Sequence, residues 1–137
     1  MLYYHGTNSV FAQFNIDCDV RPDAASNGHL GIWLAIEKTL AYKFGRYCLA
    51  VEVQIGKAYD MPIDELSRMH QHCLKVCPNL DEAEADGFKR KFYTEKRLGL
   101  LEAGYDFIRA VEVNGRSDMG VCLVAENLSV IGCEPPL

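Results

Sequence analysis

Apolar and polar positions along the chain repeat with two different periods, and each period marks its own stretches. Leu2-Tyr3-Tyr4 is a short apolar start that reads as a first strand and runs straight into His5-Gly6-Thr7-Asn8. Val10 to Phe14 is apolar but short, and fits a loop or a single helical turn. Asp19 to Gly28, "DVRPDAASNG", is dense in turn formers and predicts an exposed loop. His29 to Ala35 is a run of β-formers that predicts a buried strand. After it the spacing changes: apolar residues at 36, 40, 41 and 44 keep a helical period, with Gly45 in place to cap the helix.

Tyr47 to Ile55 returns to an alternating, half-polar strand pattern. Asp60-Met61-Pro62 offers a cap and a first-turn proline for a helix running to about Lys75. A second helical stretch covers Asp81 to Ala103, with Asp86-Gly87 as a point where it can break and Gly104-Tyr105-Asp106 as its end. The remainder is β: "FIRAVEV", the hairpin signal Asn114-Gly115, then "MGVCLVAEN" and "LSVIG". Strands at both ends with helices between them predict an α+β fold whose first and last strands share a core.

Composition narrows this picture. A chain of 137 residues with 49% hydrophobic and 24% charged residues has enough apolar matter for one domain with a real core, which excludes intrinsic disorder. We take residues 1–137 as that single domain. A net charge of −5 leaves no general basic surface for nucleic acid. The one basic run, Lys89-Arg90-Lys91 with Lys96 and Arg97, follows Glu82, Glu84 and Asp86 and reads as a solvated helix of mixed charge. No stretch reaches membrane-spanning length, and the start lacks a secretory pattern. The six cysteines, at 18, 48, 73, 77, 122 and 133, have no framework spacing and read as reduced thiols. The expected location is the cytoplasm, or a target cell reached without a classical signal peptide.

Three separated pieces carry the candidate chemistry. The first is Tyr4-His5-Gly6-Thr7. The second is Gly31-Ile32-Trp33-Leu34-Ala35, with Ala41 and Phe44 following at fixed spacing. The third is Gly104-Tyr105-Asp106 followed by "VCLVAENLSVI", expected to close as a hairpin. Their order and spacing resemble the ADP-ribosyltransferase fold over nearly the whole chain, specifically the His–Tyr–Glu branch that includes diphtheria toxin and the poly(ADP-ribose) polymerases.

That resemblance implies a split, mainly antiparallel sheet with flanking helices, and NAD as co-substrate. By analogy with the family, His5 bonds a ribose hydroxyl of the adenosine half, and Gly6 lets backbone approach the nicotinamide carboxamide, since no side chain intervenes. Thr7 adds a hydroxyl. The nicotinamide ring is cationic before cleavage, so aromatic faces attract it, each by about 0.5–2 kcal/mol. The positions that match the family's two clamping aromatics hold Trp33 and Phe44. In the family a glutamate opens the last-but-one strand and bonds the nicotinamide-side ribose. Here that position falls near Met119, and Asp118 beside it is the candidate stabiliser of the developing sugar cation. Glu112 across the hairpin and Glu126 at the far end of the strand are the nearest glutamates.

The function implied is transfer of a single ADP-ribose to a macromolecular acceptor, a protein, by a toxin or effector. The alternative is a degenerate module of the same fold that binds a nucleotide or a protein partner. A third reading, an unrelated α+β domain, makes the same aromatics structural. The polar loop before the tryptophan strand carries one basic residue, Arg21, suited either to the pyrophosphate or to a plain solvent-exposed turn. His70, Cys73 and Cys77 share a helical stripe beside His72, but Leu66, Met69 and Leu74 lie in the same stretch, and we expect a buried apolar face with no metal. No cysteine sits in an activating context that would pair it with His5 or His29 as a nucleophile.

Overall fold

The computed structural model describes residues 1–16 and 26–136. Within them the chain forms β1 (Leu2–Thr7), β2 (Ile32–Ala35), α1 (Lys38–Ala41), β3 (Tyr47–Val53), β4 (Ala58–Pro62), α2 (Ile63–Val76), α3 (Glu82–Glu102), β5 (Phe107–Val111), β6 (Met119–Cys122) and β7 (Leu128–Glu134). Short 3-10 turns cover Ser26–Leu30 and, continuing α1, Tyr42–Phe44. The strands make one seven-stranded sheet in the order β4-β5-β6-β2-β1-β3-β7. Every neighbouring pair is antiparallel except β4 and β5. The architecture is α+β. Among the described residues no helix is long and apolar enough to cross a membrane.

Strand alternation divides the buried side chains between the two faces. Tyr3, Ile32, Leu34, Leu49, Val51 and Phe107 build one core, closed over by Phe14 and Ile16 from the segment after β1. On the other face Met61, Ile108, Val121 and Leu123 meet α2 through Met69 and Cys73, and α3 through Tyr93. Val130 and Leu128 of β7 pack against the core that holds Tyr3, so the first and last strands share it as expected.

Four local expectations are corrected. The helix expected after Asp60-Met61-Pro62 forms, but Asp60 and Met61 belong to the end of β4 and not to a cap, because Met61 is buried in a parallel ladder opposite Ala110. α2 then starts at Ile63, with Pro62 in the cap position where no backbone N–H is needed. His29-Leu30 belongs to the 3-10 turn, and β2 begins two residues later. α3 runs unbroken through Asp86-Gly87, its start fixed by a capping box in which the Asp81 side chain accepts from the Glu84 N–H. The tail from β6 to β7 is not a hairpin. β6 pairs with β5 and β2, while β7 crosses to the far edge and pairs with β3. The hairpin is the one Asn114-Gly115 makes between β5 and β6, with Gly115 at φ +82°. Of the expected loop at Asp19–Gly28, residues 19–25, with Arg21, lie outside the described residues, as does Cys18; the rest joins the 3-10 turn.

Candidate functional site

β1 is paired very unequally with its two neighbours. Against β3 it holds six residue pairs, from Leu2↔Glu52 to Thr7↔Tyr47. Against β2 it holds one, Tyr4↔Ala35. Beyond Tyr4 the sheet therefore splits along the β1–β2 seam, and the tip His5-Gly6-Thr7 borders the split. Along an antiparallel strand successive residues aim their N–H and C=O to alternate neighbours. At least one of these three residues thus directs both groups toward the seam. Continuing the Tyr4↔Ala35 register sets Gly6 level with Trp33.

The His5 side chain spans the opening: its Nδ1 lies 2.8 Å from the Trp33 carbonyl oxygen. A carbonyl only accepts, so Nδ1 carries the proton, and in the neutral ring Nε2 is the acceptor. Two phenylalanines hold the imidazole edge-on. Phe14 has its centroid 5.0 Å away and Phe11 6.0 Å away, and the two rings meet each other at 4.9 Å. The Val10–Phe14 segment is therefore neither strand nor helix; it braces His5. Neither phenylalanine was anticipated as a site residue, although two aromatics three apart just after "HGT" were the available signal.

Gly6 sits on the opposite face of β1 from His5. A Cβ built there would lie 1.8 Å from the Ala41 carbonyl oxygen and 3.2 Å from Phe44 Cβ. The α1 turn is thus nested directly on the strand tip, and it brings Phe44, 40% exposed, to the edge of the split. Gly45 completes the fit. It is extended (φ 178°), not a left-handed cap, and a Cβ on it would meet the Thr7 backbone at 2.4 Å. Thr7 Oγ1 accepts from the Ser9 N–H and donates to the Ser9 carbonyl, which folds the chain away from the tip. Trp33 is half-buried beside the α2–α3 core, and its indole N–H donates to the Asn27 carbonyl at 3.0 Å.

Asp118 stands one residue before β6. Its carbonyl accepts from the Ile36 N–H at 3.0 Å, extending the β2–β6 ladder by one step. Met119 pairs with Ala35 and shares its face. Alternation assigns Asp118 to the other face, the one that carries Tyr3 and His5. From the registers, Asp118 and His5 lie two strands and two residues apart, about 10 Å across the sheet and about 7 Å along it. The carboxylate accepts from Arg116 Nε at 2.8 Å. That bond is the main reason the Arg116 guanidinium is held above its ordinary pKa, with Glu37 and Glu112 adding to the field. Glu112 is exposed on the hairpin, and Glu126 lies beyond the far end of β6.

The other candidates do not assemble into a site. Cys73 is buried, and His72 is engaged with Phe92 and Phe88 at 5.1 and 5.8 Å. No group of three His, Cys, Asp or Glu that could hold a metal occurs among the described residues. Burial pushes the Cys122 thiol up to about 11 and raises Cys48 and Cys73 as well, the reverse of what a nucleophile needs.

No family model matches the chain, and no curated protein matches it. Among solved structures, one described as the crystal structure of an anti-CRISPR protein aligns with a TM-score of 0.46 and 15% identity, over 96% of this chain and 95% of that one.

Proposed function

We propose that the protein is an NAD-dependent mono-ADP-ribosyltransferase that uses the split between β1 and β2 as its nucleotide cleft. The observation that carries this reading is the convergence on one seam of His5-Gly6, Trp33 and Phe44, three pieces separated in sequence. An opening in a sheet exposes main-chain donors and acceptors, which suit a carboxamide. Phe44 beside Gly6 offers a ring face to a cationic nicotinamide. By the family analogy, His5 at the border of the seam is the residue set against a ribose hydroxyl. The offset between His5 and Asp118 fits groups that read different halves of one dinucleotide.

In the reaction the bond between ribose C1′ and the nicotinamide nitrogen breaks, and its electron pair leaves with the nicotinamide, which becomes neutral. The positive charge passes to the ribose, where the Asp118 carboxylate stabilises it. An acceptor nucleophile then bonds C1′ and gives up its proton to water. The proposed acceptor is a macromolecule, a protein, and the proposed role is that of a toxin or effector. The unpaired state of all five described cysteines supports a cytoplasmic setting, in the producing or the target cell.

The Arg116–Asp118 contact favours a second reading, a nucleotide-binding module without turnover, because the carboxylate already has a cationic partner. One experiment separates them. Incubation with NAD and a cell extract releases nicotinamide and labels protein if the first reading holds. Asp118→Asn then lowers kcat about 10²–10³-fold with little change in KM. NAD binding without nicotinamide release selects the module, and no NAD binding rejects the transferase.

A further inference from the structure

The turn that presents Phe44 is too short to hold itself. α1 has four residues and its 3-10 continuation three, well under the length at which a helix is stable alone. Glu37, in the cap position, makes no side-chain capping bond. Ala41 is the only residue the turn fully buries, against Ala35 and Cys48. Two contacts from the end of β7 supply what is missing. Lys38 Nζ lies 2.8 Å from Glu134 Oε1, and the Tyr42 hydroxyl donates to the Pro135 carbonyl at 2.5 Å. Lys38 and Tyr42 are four apart, on one face of the turn, the spacing that meets a single partner segment. The partner is itself anchored, since Glu134 pairs with Cys48 in the β3–β7 ladder.

We propose that Glu134 and Pro135 form a strap that positions the α1 turn, with Tyr42 and Lys38 as its buckle, and so fixes Phe44 against Gly6. Glu134 and Tyr42 are positioning residues: the strap acts on the ligand only through Phe44. The consequence for NAD rests on the transferase reading; the restraint on the turn does not.

The test uses the full chain carrying Glu134→Gln with Tyr42→Phe, which keeps the tyrosine ring in place and removes the charge and the hydroxyl. The contacts are largely exposed, so global stability stays within about 2 °C in Tm. Amide hydrogen exchange in residues 38–46 rises about tenfold while the rest of the sheet keeps its protection. KM for NAD rises about 3- to 10-fold with kcat within about twofold. Lys38→Arg, which keeps the ion pair, behaves as the unaltered protein. Unchanged exchange in 38–46, or a rise spread over all strands, overturns the strap. A local rise with KM unmoved overturns its positioning role. If the unaltered protein neither binds NAD nor releases nicotinamide, the transferase reading and the NAD consequence fail together, and exchange alone decides whether the strap exists.

Discussion

Gly6→Ala is the sharpest probe of how the strand tip is built. The added methyl would stand 1.8 Å from the Ala41 carbonyl oxygen and 2.8 Å from its carbon, both backbone atoms that no rotamer change can move aside. Restoring even a 3.0 Å contact requires the tip and the turn to part by about 1.2 Å. β1 cannot yield, because six residue pairs hold it to β3. The turn must move, and Phe44 with it. Overpacking of this kind costs about 1–3 kcal/mol, and backbone on both sides places this site near the upper end. For a chain of this size that is a fall of about 10 °C in Tm. Gly132→Ala is the matched control. Its methyl would meet only Ala50 Cβ, at 3.9 Å, so stability holds or rises by up to about 1 kcal/mol. Urea unfolding followed by the fluorescence of the single tryptophan measures both variants. A Gly6→Ala protein within about 0.5 kcal/mol of the unaltered one refutes the argument. Weakened NAD binding at full stability would reassign the glycine from packing to ligand approach.

Asp106→Ala removes an acceptor for the Gly56 N–H at 2.9 Å, the Lys57 N–H at 3.0 Å and Asn127 Nδ2 at 3.3 Å, which tie three loops together. The expected loss is about 3 kcal/mol in urea unfolding, with the Asn variant intermediate. The Cys122 thiol, raised by burial from 9.0 to about 11, makes folding sensitive to alkali. Its folded pKa lies above the unfolded one, so its contribution is complete below about pH 9 and is lost as pH rises through about 11, on the order of a few kcal/mol in all. Cys122→Ala flattens that limb in a Tm-versus-pH series. With a thiol-specific reagent at pH 8, the exposed Cys133 reacts first, whereas Cys48, Cys73 and Cys122 react only at the rate of unfolding.

Much of the fold was legible because burial and local signals agreed. β3 carries an alternating pattern and α3 a long helical stretch, and both appear within a few residues of their expected limits. β4 was hidden for a physical reason: "DMP" satisfies the local rules for a helix start, and only its parallel partner β5, some fifty residues away, makes it a strand. The same holds for β7. Its neighbour in sequence, β6, offers an apparent hairpin, yet β7 finds its ladder on β3, at the other side of the sheet. Pairing choices of this kind are settled by the completed cores on both faces, which local pattern does not contain.

The site divides along the same line. His5, Gly6, Trp33 and Phe44 are the residues whose order and spacing carry the family resemblance, and strand ends and a short turn set them along one seam. The residues that hold them could not be named from spacing. Phe11 and Phe14 brace His5 through tertiary contact, and Glu134 reaches Lys38 across ninety-six positions. The meaning of Gly6 also changed. Its missing side chain is accounted for by the Ala41 carbonyl before any ligand is considered. His5 and Gly6, adjacent in sequence, then serve opposite faces of β1, and only the split beyond Tyr4 lets one ligand meet both. On the proposed transferase reading, a dinucleotide lies along the seam between β1 and β2. On that reading, extending the β1–β2 pairing by one residue pair abolishes NAD binding while stabilising the sheet. A variant evolved for higher Tm that gains such a pair and keeps its NAD affinity would place the nucleotide elsewhere on the molecule.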